Sequence, residues 1–149
     1  MTDEYVPYYG LLLHSLVQAD KSGVQIRHIS GFRNGLLINE KMGLLLKHST
    51  SRLSPWNYSF GQADQKLINH FEVEKVRFKV GLICGFVGVC VVEDTELNHL
   101  VDLPFTKTSR ITIRTINGGS WDVSGNMGKL KRMKSKSSPW LTMQPSEPE

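Results

Sequence analysis

The stretch "GLLLKHSTSRLSPW", Gly43 to Trp56, ends an apolar run with a lysine, a cluster of hydroxyls, an arginine and then Ser-Pro-Trp. Lys47, Ser49, Thr50 and Arg52 therefore stand where a strand leaves a sheet. Their ammonium, hydroxyls and guanidinium are suited to a phosphate or a carboxylate, the guanidinium in two-pronged fashion. Trp56 can stack on a base or pin the loop. The same residue types also serve architecture: hydroxyls at strand ends satisfy turn backbone groups, and Pro-Trp after a loop often plugs a core edge.

A second cationic feature lies toward the C-terminus. Between Lys107 and Lys136 stand Lys107, Arg110, Arg114, Lys129, Lys131, Arg132, Lys134 and Lys136 against one acid, Asp122. The net charge of the whole chain is only +4, so the remainder is slightly acidic. A concentrated basic segment suits a phosphate backbone, because each neutralised phosphate releases counterions and adds salt-sensitive affinity. A solvated basic tail accounts for the same composition.

Elements must hold these groups in place, and the apolar pattern supplies them. The chain has 149 residues, 40% of them hydrophobic and 21% charged, with Leu, Ile, Val and Phe spread from Leu11 to Leu103. That is the size of one domain able to bury roughly two thirds of its unfolded surface. The periodicity predicts an amphipathic helix over Tyr8 to Ala19 and a strand over Val24 to Ile29. A hairpin of Leu36 to Asn39 and Gly43 to Lys47 follows, then an irregular Thr50 to Gly61. A helix is predicted over Gln62 to Val76, with Ser59 as its cap or pre-cap residue. Strands follow over Phe78 to Cys84 and Gly88 to Glu93, and a short helix over Thr95 to Leu103 capped by Asp94. Arg110 to Ile116 alternates well enough to give one basic face, paired across Asn117-Gly118-Gly119 with Ser120 to Ser124. This order predicts an α/β fold, one domain over residues 1–128 with a mixed central sheet and flanking helices. Residues 129–149 are read as a basic and then flexible tail, frayed from Gln144 onward.

Several classes are disfavoured. The apolar runs fall short of the roughly 20 residues that span a bilayer, and the acidic start, Met-Thr-Asp-Glu, is unlike a secretory signal. The expectation is a soluble, cytoplasmic protein without membrane contact, in which Cys84 and Cys90 are buried, reduced thiols. The five histidines are scattered, and His48 has opposite parity to Lys47, which places it on the other sheet face. No glycine-rich phosphate loop and no nucleophile elbow is present.

The order helix, strand, hairpin, helix, strand resembles the core of the PD-(D/E)XK nuclease superfamily, and "RNGLLINEKMGLLLKHSTSRL" is similar to its hairpin. The resemblance implies a restriction-endonuclease-like fold in which one acid begins a strand and an acid-x-lysine follows on the next. Here Asn34 stands near the first acid, Leu45 replaces the second, and only Lys47 matches by type. The chain also resembles an uncharacterised bacterial family sharing a lysine, hydroxyls, an arginine and Ser-Pro-Trp, here Lys47, Ser49, Thr50, Arg52, Ser54, Pro55 and Trp56. That second resemblance runs through "LICGFVGVC" to "GKLKR" and brings no activity with it.

Three functions follow as expectations. The first is a nucleic-acid-binding protein, for DNA or RNA, with a catalytically degenerate nuclease-like fold and no cofactor. Arg110, Arg114, Lys129, Lys131 and Arg132 hold the backbone, while Lys47, Ser49, Thr50, Arg52 and Trp56 line the cleft. The second is a metal-dependent phosphodiesterase with Glu40 and Lys47 as catalytic residues and Mg2+ as cofactor. Its single carboxylate makes a poor site for a hard cation, although distant acids such as Asp20 or Glu72 can be folded in. The third is a homo-oligomer or protein-interaction module built on the Gly81 to Val92 hairpin or an open sheet edge.

Overall fold

The computed structural model describes residues 6–19, 22–104, 108–116, 119–131, 134–135 and 140. Helix α1 (Val6–Ala19) precedes β1 (Ile26–His28), β2 (Gly35–Ile38), β3 (Met42–Ser49) and β4 (Trp56–Phe60). Then come α2 (Gln62–Val73), β5 (Arg77–Cys84), β6 (Gly88–Glu93) and α3 (Asp94–Leu100). The remaining strands are β7 (Ser109–Ile116), β8 (Ser120–Gly125), β9 (Gly128–Lys129) and β10 (Lys134–Ser135).

The first sheet has the order β1-β2-β3-β5-β6. All its pairings are antiparallel except β3 with β5, which runs parallel from Met42 opposite Arg77 to Ser49 opposite Cys84. Parallel neighbours need a crossover, and β4 with α2 provides it.

Period-two alternation divides the side chains of β3 between two cores. Met42, Leu44 and Leu46 join Leu12 and Leu16 of α1, whereas Leu45 joins Leu67, Ile68 and Phe71 of α2. Helix α2 can lie this close because of Gly43. A Cβ at that position would stand 2.4 Å from the ring of Phe71.

The first sheet, mixed and with α1 on one face and α2 on the other, is the expected central sheet with flanking helices, and a second sheet, β10-β8-β7-β4 with β9 on β8, adds to it. Trp56, Tyr58 and Phe60 alternate with the exposed Asn57 and Ser59, so the segment expected to be irregular is a strand. Its register with β7 sets Trp56 opposite Ile113 and Tyr58 opposite Ile111. These residues, with Trp121 and Val123 of β8, form one core with the α2 side of the first sheet. The hidden signal was the strict apolar alternation of Trp56, Tyr58 and Phe60, masked by the polar residues before it.

Smaller departures have local causes. Gly61, not Ser59, is the N-cap of α2, which ends at Val73. Helix α3 runs only to Leu100, and its N-cap is Glu93. Asp94 is instead occupied by Arg77, whose Nε and Nη2 each donate to it at 2.6 Å, and by the Phe78 N–H at 3.2 Å. Two residues of the C-terminal stretch are packed: Leu130 belongs to the core of α2, and Trp140 donates through Nε1 to the Ser15 hydroxyl of α1 at 2.9 Å, while Lys129 and Lys131 are exposed. The frayed end expected from Gln144 onward lies outside the described residues. No helix among the described residues is long and apolar enough to cross a membrane.

The Arg77–Asp94 pair gives stability a defined pH dependence. Burial pushes the Asp94 carboxyl up, but hydrogen bonds from Arg77 and from the N–H groups of Phe78 and Thr95 outweigh it and hold the group below the usual range. A carboxyl depressed in the folded state stabilises fully above its unfolded pKa, about 4, and that contribution is lost as pH falls through the folded value. The urea midpoint is therefore expected to drop on acidification below about pH 4. Asp94→Asn should flatten that drop, and an unchanged profile would remove the pair from this role.

Candidate functional site

Lys47 and Leu45 share the face of β3 that meets α2, and the β4–α2 corner passes beside them. Asp64, the third residue of α2, is 5% exposed. Its Oδ2 accepts from Lys47 Nζ at 3.0 Å and from the Gly61 N–H at 3.0 Å. Its Oδ1 accepts from Lys47 Nζ and from Asn34 Nδ2, each at 3.3 Å. Asn34 Nδ2 also reaches the Leu46 carbonyl at 3.1 Å, and the Phe60 ring centroid lies 5.0 Å from Lys47 Nζ. Three donors, from Lys47 of β3, Asn34 ahead of β2 and Gly61 at the start of α2, thus converge on one carboxylate. An acid in the first turn of a helix is also favoured by the helix dipole.

Asp64 was missed by sequence reasoning, which looked to Asp20 or Glu72 for a carboxylate. Its signal was Gly61-Gln62-Ala63-Asp64, the spacing of a cap and a reciprocal acid at the start of a helix. Glu72 lies elsewhere, on a cavity of about 670 Å³ with Gln65, Arg77 and Asp94 among its walls. Asp20 lies outside the described residues.

The structure does not bring Glu40 to Lys47. Glu40 sits in the β2–β3 turn, where Arg27 Nε and Nη2 donate to its carboxylate at 2.9 and 3.1 Å. That guanidinium holds the Glu40 carboxyl below its ordinary range. From Met42, beside the turn, to Lys47 is five strand residues, about 16 Å along β3.

Beyond Lys47 the chain presents a partly exposed Ser49 and exposed Thr50, Ser51 and Arg52. Trp56 does not line a cleft: it is 1% exposed and packs edge-on against Trp121, with centroids 5.7 Å apart. Its Nε1 donates to the Ser51 carbonyl at 2.7 Å, so it pins the loop. Ser54 Oγ accepts from the Thr115 N–H at 3.2 Å, fastening the same loop to β7. His48 lies on the opposite face from Lys47, against Tyr8 and Tyr9 of α1.

The basic residues of β7 lie on the outer face of the second sheet. Ile111 and Ile113 are buried, while Arg110 and Arg114 are exposed on either side of Thr112. Arg110 is paired with Ser59, Thr112 with Asn57 and Ser124, and Arg114 with Asp122. The Thr112 hydroxyl donates to Asn57 Oδ1 at 2.7 Å. Lys129, opposite Ser124, approaches Asp122 Oδ1 at 3.4 Å. Lys131 is exposed and lines a separate cavity of about 430 Å³ with Glu96 and His99. Arg132 lies outside the described residues.

The residues at the Lys47 centre do not fit a divalent cation. A hard cation requires several oxygen ligands, but Leu45 is an apolar core residue and both Asp64 oxygens are taken by Lys47, Asn34 and Gly61. Among the described residues no three His, Cys, Asp or Glu side chains gather closely enough to hold a metal ion. Cys84 and Cys90 are buried thiols on the core face of the β5–β6 pair. Burial, and then the neighbouring Cys84, push the Cys90 thiol up. Tyr58 donates its hydroxyl to the Ile83 carbonyl at 2.9 Å, and burial pushes that phenol up strongly.

No family model and no curated protein matches the chain. A solved structure that it is similar to is the Holliday junction resolvase of Archaeoglobus fulgidus, with a TM-score of 0.46 and 13% sequence identity over 70% of this chain and 82% of that one.

Proposed function

We propose that this chain binds nucleic acid through the outer face of its second sheet and leaves the strand intact. The observation that carries the reading is the alignment of Arg110, Thr112 and Arg114 along β7, flanked by Asn57, Ser59, Ser124 and Lys129. Guanidinium groups along a strand, with the Asn57 amide whose Oδ1 Thr112 holds, suit phosphate oxygens. Asp122, the acid among these strands, is partnered by Lys129. The Lys47 centre supports binding rather than cutting, because its ammonium is held by Asp64 instead of lying open to a scissile phosphate.

The test is binding to labelled duplex, single-stranded and branched DNA, and to RNA, across a salt series with magnesium present. The expected result is salt-steep binding to intact nucleic acid. Arg110→Ala and Arg114→Ala should each lower the slope of log K against log salt by about one. Unchanged slopes would overturn the face. A second reading, phosphodiester cleavage, would require Lys47 to leave Asp64 for the scissile phosphate. Shortened DNA in these samples, abolished by Lys47→Ala, would establish it.

A further inference from the structure

Three rings that play no part in the basic face are stacked where β3 ends. The Tyr8 ring lies 5.4 Å from that of His48 at 18°, and 4.6 Å from that of Phe86 at 15°. Phe86 is 66% exposed, although phenylalanine is a residue type normally buried. It belongs to the turn between β5 and β6, and that turn is locked to the loop after β3. The Gly85 N–H donates to the Ser49 carbonyl at 2.9 Å, and a Cβ on Gly85, whose φ is +54°, would stand 2.5 Å from the Ser51 carbonyl oxygen. Ring stack and hydroxyl-arginine loop are therefore adjoining parts of one rigid surface, and Trp56 holds the loop from below through Ser51.

Resting on the nucleic-acid reading above, we infer that this surface is a platform for an unpaired nucleobase: the base continues the ring stack on Phe86, and its phosphate meets Thr50 and Arg52. The occupant follows from two chemistries side by side. A flat exposed ring aligned with others accepts any base face. The exposed Thr50 hydroxyl and Arg52 guanidinium beside it complement an anion, which an apolar protein surface would not offer. A base paired within a duplex is stacked and cannot present its face, so the platform favours single strands and unpaired overhangs.

The experiment compares wild type, Phe86→Ala and Phe86→Trp by fluorescence anisotropy on a labelled oligothymidylate and on a blunt duplex of the same length. Phe86→Ala is expected to weaken oligothymidylate binding about tenfold and leave duplex binding unchanged. Phe86→Trp should keep the affinity, with its indole emission quenched by the oligomer. Equal oligothymidylate affinity for wild type and Phe86→Ala would overturn the platform, as would a parallel loss on both ligands. Self-association that Phe86→Ala abolishes while oligothymidylate affinity holds would reassign the ring to a contact between copies. A wild type that binds neither ligand overturns the nucleic-acid reading itself, whereas duplex binding that persists while Phe86 has no influence removes the platform alone.

Discussion

Trp56→Ala is expected to lower unfolding stability by about 3–5 kcal/mol, the range for removing a fully buried large aromatic. The loss has two sources in this protein. The indole fills the contact between the two sheets, edge-on to Trp121, and its Nε1 is the donor to the Ser51 carbonyl. Trp56→Phe keeps most of the packing and gives up the hydrogen bond, so about 1–2 kcal/mol is expected for a smaller ring and the lost hydrogen bond. Urea denaturation measures both. The alanine variant should also become sensitive to trypsin after Arg52, because the loop loses its anchor. A Trp56→Ala protein with the wild-type midpoint and an uncut Arg52 would show that the loop is held by Ser54 and Gly85 alone.

The second large effect falls on Asp64. Removing one partner of a buried ion pair leaves the other charge uncompensated, which costs about 3–5 kcal/mol when the site is fully buried. Lys47 is 23% exposed and can turn partly to solvent, so Asp64→Ala is expected to cost about 2–3 kcal/mol. The Gly61 and Asn34 donors lose their acceptor at the same time. Pairing the change with Lys47→Met should recover more than half of the loss, since an apolar side chain in place of the stranded ammonium removes the desolvation penalty. A double-mutant cycle by urea denaturation reads this directly. Additive losses would mean that Asp64 acts through the start of α2 and not through Lys47.

These two residues also show what the sequence could disclose. The β2–β3 hairpin, the buried β5 and β6 and the basic alternation of β7 were legible because apolar periodicity is a local property. The opposite facing of His48 and Lys47 followed from parity alone. Pairing between distant strands is not local, and so the second sheet was invisible: nothing within Trp56 to Phe60 announces that its partner begins at Ser109. Asp64 was missed for the same reason, since its meeting with Lys47 and Asn34 depends on how the crossover turns at Gly61. Trp56 could be placed only as a stacking ring or a pin. The fold makes it the pin and leaves Phe86, unremarked in a glycine-rich turn, as the open ring. Glu40 stood near Lys47 in sequence, but an extended strand carries neighbours in sequence apart in space.

The strand β4 lies, along the chain, between the two parallel strands of the first sheet, yet its hydrogen bonds belong to the second. The two sheets are consequently interlaced. No single cut in the chain separates them, because any fragment containing both β3 and β5 also carries β4, which without β7 has an unsatisfied edge and an uncovered apolar face. Formation of the first sheet leaves β4 waiting for a partner some fifty residues onward, which makes closure of the second sheet a long-range, entropically costly event. The surface that carries Arg110 and Arg114 is thus assembled only when the whole molecule is, and binding through it reports on global integrity.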